Sequence, residues 1–215
     1  MFEYSVFGIP ARGRRPATAV LEFIQDQDGI SVEVMASAKT GFTGRFRVSD
    51  MFSWQTAYLG DFNSDGRNDL AIEVSSGGNG IAACIADVTF LLSGLSRPKP
   101  IVVNTRCPRR DDFVDLRGDG QCQFIQTCFV PGYGELGKDG REHNYWVYSI
   151  VRIESNGVVI DNSRLPGFPK WVMYTYRPNT CVKEQLTHKQ KARLWQKELK
   201  LGSRDVGWCE SARRD

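Results

Sequence analysis

The segment Asp61-Phe62-Asn63-Ser64-Asp65-Gly66-Arg67-Asn68-Asp69-Leu70 sets side-chain oxygens at positions 1, 3, 5 and 9 of a loop turned by a glycine at position 6. Calcium is a hard cation that takes roughly six to eight oxygen ligands, and carboxylates and an amide at alternate positions can wrap it. Asp61, Asn63, Asp65 and Asp69 would supply side chains and Arg67 its carbonyl, while Gly66 permits the sharp reversal. A helix-loop-helix calcium hand needs a bidentate Glu at position 12, where this chain has Ile72. Leu70-Ala71-Ile72-Glu73-Val74 instead reads as a strand. The loop is therefore expected to join two strands. The alternative is an Asp/Gly turn with solvated carboxylates.

The same frame returns 54 positions later (115 minus 61) in Phe113-Val114-Asp115-Leu116-Arg117-Gly118-Asp119-Gly120-Gln121-Cys122-Gln123-Phe124. This copy, 115–123, has Arg117 at position 3 and Gln123 at position 9, so it departs from the calcium pattern at two ligand positions. The Arg117 guanidinium is expected to take the cation's place between Asp115 and Asp119. With Tyr58-Leu59-Gly60 before the first loop and Asp69-Leu70-Ala71-Ile72 after it, the stretch from Leu59 to Val74 resembles the GDFNGDGxxDLAV signature of FG-GAP and VCBS-type repeats. The resemblance implies a mainly β protein of antiparallel sheets, propeller-like or an incomplete array of blades, with a calcium loop joining strands within a blade. It also implies Ca2+-supported recognition of a protein or a glycan outside the cytoplasm, without catalysis. A period of 54 would fit four times into 215 residues.

A chain of 215 residues, 41 % apolar and 25 % charged, can bury one substantial core, and it is read as a single β-rich domain. The net charge of +3 is too mild to indicate nucleic-acid binding. No apolar run reaches the length of about 18 to 20 residues that a membrane span requires. The first ten residues lack a basic segment followed by a long apolar one, so no signal peptide is visible. Six cysteines, an even number, and a calcium loop nevertheless favour an exported, periplasmic or extracellular protein whose leader has been removed. A small exported binder of this class would suit an immunity or inhibitor protein that blocks a secreted effector.

The cysteines, Cys84, Cys107, Cys122, Cys128, Cys181 and Cys209, show no C-x-x-C pair, which argues against zinc. Cys122 and Cys128 lie about 20 Å apart on a straight strand and cannot pair with each other. The alternative is that all six are buried thiols.

Strand signals dominate the rest of the chain. Ala17 to Ile24 and Ile30 to Val34 flank an Asp28-Gly29 turn, and Phe42 to Val48 follows. Leu70 to Val74 and Ile81 to Leu92 flank a glycine-rich turn. Gln123 to Val130 and Tyr145 to Glu154 flank a longer loop, and Asn156-Gly157 turns into Val158-Val159-Ile160. One helix is expected over about 188–201, with Thr187 and Gln190 as a capping box and Gly202 as its stop; its buried stripe would be Ala192, Trp195 and Leu199. Trp171 and Met173, in an aromatic segment between Leu165 and Tyr176, read as core at strand spacing, with an interface as the alternative.

Catalysis has little support, because the sequence holds no G-x-S-x-G elbow, H-E-x-x-H or P-loop. A metal-dependent hydrolase could be assembled only from Asp111, Asp112, Asp115, Asp119, Glu142 and His143. The sequence-level reading is thus a non-enzymatic, calcium-binding recognition module with a protein partner, and a glycan-binding or adhesion module as the alternative.

Overall fold

The turn residues close antiparallel pairs where the sequence places them. Asp26 pairs with Gly29, Gly60 with Asp69 across the calcium-type loop, and Glu154 with Gly157. The computed structural model describes residues 3–5, 7–8, 20–26, 29–36, 44–49, 54–75, 85–94, 98–116, 118, 120–174 and 186–201. These form three sheets and one helix. The first sheet has the order β1 (Glu3–Ser5), β3 (Val20–Asp26), β4 (Gly29–Ala36), β5 (Gly44–Ser49). The second has β2 (Phe7–Gly8), β6 (Trp54–Gly60), β7 (Asp69–Ser75), β8 (Ile85–Leu91), β9 (Ile101–Arg106). The third has β10 (Phe113–Val114), β11 (Gln123–Val130), β12 (Tyr145–Glu154), β13 (Gly157–Ile160).

Apart from the short parallel contact of β2 with β6, every pairing is antiparallel. Each sheet contains one run of four antiparallel strands: β1-β3-β4-β5, β6-β7-β8-β9, β10-β11-β12-β13. Among the described residues the repeating unit of four strands occurs three times. The chain then adds β14 (Lys170–Met173) beside Tyr145–Tyr148 of β12, and ends its described part in helix α1 (His188–Leu201).

The sheets stack face to face, with the second in the middle. Leu70, Ile72 and Val74 of β7 join Leu21, Val32, Phe46 and Val48 of the first sheet in one core. Ala71, Tyr58, Val88, Phe90 and Val103 meet Phe113, Phe124, Val151 and Ile153 of the third sheet in another. Buried on both faces, β7 loses the apolar/polar alternation of a half-exposed strand.

The inner face of the third sheet extends past the second. Cys128, Val130, Tyr145 and Val147 share that face with Phe124 and Val151, but are covered by Leu186 and Leu194 at helix α1 and by Trp171. Between the two apolar areas lie Gln126 and Ser149, paired across the strands and fully buried, and Gln126 Nε2 donates to Asn104 O at 2.7 Å. Trp171 and Met173 are thereby core residues, as their spacing predicts.

The capping box is present: Gln190 N donates to Thr187 Oγ1 at 3.3 Å and Thr187 N to Gln190 Oε1 at 2.9 Å. The buried stripe differs from expectation. Leu194 is fully buried, Trp195 only half-buried and Ala192 exposed, while the Leu199 side chain and Gly202 lie outside the described residues. Polar anchors account for the rotation. Gln190 Nε2 donates to Leu136 O, Arg193 makes two bonds to Glu135, and Lys197 Nζ reaches Tyr133 O, which turns Leu194 toward the sheet.

That clamp rests on a tight reversal at Gly132. A Cβ there would lie 2.6 Å from His143 O and against Glu142 Cγ. The backbone carbonyl cannot give way as a side-chain tip would. Gly132→Ala is expected to cost about 1–3 kcal/mol of unfolding free energy, as overpacking does; urea unfolding followed by tryptophan fluorescence measures it, and an unchanged midpoint would count against the close approach.

Candidate metal site

The loop between β6 and β7 is anchored from below by Phe62, which is fully buried and packs edge-on against Phe90 at 5.1 Å between ring centres. Asp61 and Asp69, on either side, are buried, whereas Ser64, Asp65, Gly66 and Arg67 are exposed. The reversal uses left-handed backbone at Ser64 (φ 65) and Gly66 (φ 81).

Within the turn, side-chain oxygens gather around the Asp65 amide. Asp65 N donates to Asp61 Oδ1 and to Asn63 Oδ1, each at 3.1 Å, so these two oxygens stand side by side. Asp61 Oδ2 accepts Gly66 N–H at 2.9 Å, and Asp65 Oδ1 accepts Arg67 N–H at 2.9 Å. Asn63 Nδ2 lies 3.4 Å from Asp65 Oδ2, which places the third side chain against the second. Asp69 closes the loop from beneath: Oδ2 accepts Phe62 N–H at 2.9 Å and Oδ1 accepts Ser93 N–H at 2.7 Å.

The electrostatics suit a cation. Burial pushes the Asp61 carboxyl up, against the N–H bonds it accepts, and burial pushes Asp69 up to about 6 against the amides of Ser93 and Phe62. The charge of Asp65 raises both, so three like charges share one turn. A divalent ion would reverse that cost. Among the described residues no three His, Cys, Asp or Glu side chains form a gathered metal cluster, in keeping with carboxylates that here face backbone amides.

The second copy keeps the scaffold. Gly120 N donates to Asp115 Oδ2 at 2.9 Å, the counterpart of Gly66 on Asp61, and Leu116 N donates to Gln123 Oε1 at 3.0 Å, the counterpart of Phe62 on Asp69. Gly118 (φ 68) and Gly120 (φ 90) match Ser64 and Gly66 in backbone. The two turns also touch, since Cys122 N donates to Asp61 O at 2.9 Å. Arg117 and Asp119 lie outside the described residues, so the guanidinium expected between Asp115 and Asp119 does too. The turn has a visible support in Gln123, whose amide oxygen does the backbone work of the Asp69 carboxylate without its charge.

The turn after β8 is the part of the site that sequence reasoning missed. Ser93 meets Asp69, and a Cβ on Gly94 would lie 2.6 Å from Arg67 Nη1 and 3.6 Å from Asp65 Oδ2. Nothing in the sequence signals this, because Ser93 is 24 residues from Asp69 and belongs to no motif.

Of the hydrolase alternative, Asp119 lies outside the described residues and the others fall into two separate groups. Asp111, Asp112 and Asp115 precede β11, while Glu142 and His143 lie in the loop beyond its far end, roughly 23 Å away at about 3.3 Å per strand residue. His143 Nε2 is instead 2.7 Å from Asp139 Oδ2. Cys107 and Cys128 are each disulfide-bonded, and Cys122 is a free buried thiol, pushed up to about 12 chiefly by burial. The even cysteine count therefore does not translate into full pairing.

A second buried carboxyl faces the third sheet. Tyr58 Oη donates to Glu73 Oε2 at 3.0 Å, and burial, then the charge of Asp112, raise Glu73 against the Tyr58 hydrogen bond. With a native pKa above the unfolded one, Glu73 contributes stability that is fully present below its unfolded value of 4.5 and is lost as pH rises through the native pKa. Glu73→Gln, which keeps an acceptor for Tyr58, is expected to be more stable than the parent at about pH 7 but not at about pH 4. Urea unfolding at both values tests this, and a difference independent of pH would show that the carboxyl is not penalised by burial.

Comparison with protein-family models, with curated proteins and with solved structures finds no match for this chain.

Proposed function

We propose that the protein is a calcium-stabilised, non-catalytic recognition module that works outside the cytoplasm by binding a protein partner. The observation that carries the calcium reading is the convergence of Asp61 Oδ1 and Asn63 Oδ1 on one amide, with Asp65 against Asn63, in a turn closed by the buried Asp69. Asp61, Asn63, Asp65 and Asp69 would hold the ion by side-chain oxygens and Arg67 by its carbonyl. The ion would neutralise three carboxylates and lock the β6–β7 turn. Export is supported by the disulfides at Cys107 and Cys128, which persist in oxidising compartments, where calcium is also abundant. The recognition role rests on the FG-GAP/VCBS resemblance of the loop and on the dispersal of the candidate catalytic groups. An inhibitor of a secreted effector is the partner relation that suits a small exported binder.

Calorimetric titration with calcium is expected to show one site, and calcium at about 100 times its Kd should add about 2.7 kcal/mol of stability, removable by chelator. Asp65→Ala should abolish both effects. No heat of binding together with a melting temperature indifferent to chelator would overturn the calcium reading.

A further inference from the structure

The Asp69 carboxylate divides its two oxygens between two turns. One holds Phe62 N–H inside the loop, and the degenerate copy reproduces that bond through Gln123 and Leu116. The other holds Ser93 N–H, 24 residues along the chain. The first bond lies within the turn and recurs in both copies, whereas the second ties the loop to a separate connection.

Ser93 is 4 % exposed, and its hydroxyl stands beside the Asp69 carboxylate, whose charged form it favours. The hydroxyl can donate to that carboxylate, but no group donates to Ser93 Oγ, so its lone pairs are unmet. A buried oxygen with unmet lone pairs is unfavourable. The neighbouring Gly94, at φ +86, lies against the far side of the same loop, close enough that a Cβ would contact Arg67 Nη1 and Asp65 Oδ2. The β8–β9 turn thus touches loop positions 5, 7 and 9 through two separate residues.

We propose that the cation site is bipartite: Ser93 Oγ supplies an oxygen to the ion from outside the loop, while its amide holds Asp69. This inference rests on the calcium reading above. It assigns a hard divalent cation of the calcium class to a ligand set drawn from both the β6–β7 and β8–β9 connections. The consequence is that ion binding fixes two connections of the middle sheet at once. Gly94 suits that approach because its φ of +86 is one that side chains rarely adopt.

The near-isosteric pair Ser93→Thr and Ser93→Val separates the hydroxyl from the volume it fills. With calcium as ligand in calorimetry, and terbium luminescence as an independent readout, Ser93→Thr should bind within about threefold of the parent. Ser93→Val should bind at least tenfold more weakly, while melting in chelator no lower than Ser93→Thr. Equal calcium affinity for both variants, with the parent binding, would overturn the role of Ser93 and leave the loop site standing. A parent that binds neither ion would instead overturn the calcium reading itself. If Ser93→Val does not fold in chelator, Ser93→Ala takes its place in the same comparison, and parent-like affinity there overturns the proposal.

Discussion

Asp69→Gln is expected to fold like the parent and to lose the proposed calcium binding. The protein contains its own precedent: at the corresponding position of the second copy, Gln123 accepts the Leu116 amide as Asp69 accepts that of Phe62, in a turn of matching backbone. The amide oxygen is a poor substitute for a carboxylate on a hard dication, so affinity should fall at least about 100-fold. Stability in chelator should stay within about 1–2 kcal/mol. Removing a fully buried carboxylate, which burial pushes up to about 6, is favourable, whereas Ser93 N–H loses its charged acceptor. Asp69→Asn, with the native side-chain length, controls for fit. Calorimetry and urea unfolding read the two effects separately. Retained calcium binding in Asp69→Gln would show that position 9 is structural only, and an unfolded protein would show that the two copies are not equivalent supports.

The largest loss of stability is expected from Phe113→Ala. Phe113 is 3 % exposed and its ring lies 4.4 Å from Tyr58, 4.9 Å from Phe124, 5.8 Å from Phe62 and 6.3 Å from Phe90, centre to centre. It is the side chain of a two-residue strand, β10, that reaches into the contact between the second and third sheets. Truncation removes most of a ring from a closed aromatic core and should cost about 3–5 kcal/mol. Because Phe62 packs on Phe113 from the calcium-type loop, the variant should also lower calcium affinity. Urea unfolding measures the first effect and titration the second; a cost below about 1 kcal/mol would mean that the neighbours collapse into the space.

Local chemistry made much of this fold legible in advance. Gln123–Val130 and Tyr145–Glu154 are bounded by glycines and hold the residue types of strands, and both appear with the boundaries expected. Thr187 and Gln190 announce the helix because capping is a contact between neighbours in sequence. The loop at Asp61 to Asp69 is likewise largely local: its internal hydrogen bonds run over at most seven residues, and distant chain meets it through Ser93, Gln121 and Cys122. What was not legible depends on distant packing. The inward place of Leu194 depends on anchors on residues 133–136, more than fifty positions earlier, whereas Trp195 packs against the core as its spacing indicates. Where a period of 54 would place a fourth repeat, the described residues hold β14 and α1. Ser93 and Gly94 carry no signal, since an isolated serine and glycine after a strand describe any turn.

The face-to-face order of the three sheets bears on how the molecule comes apart. Among the described residues, the first and third sheets share no apolar cluster; each is bonded to the second, and only the second is covered on both sides. Free energy in such a stack is carried by adjacent pairs, as in a one-dimensional lattice. The outer layers can therefore open independently, whereas opening the central one uncouples everything. A cation held between two connections of that central layer would act on the least replaceable member of the stack. Its binding would be felt in amide exchange of both neighbours, through the interfaces rather than through any direct contact.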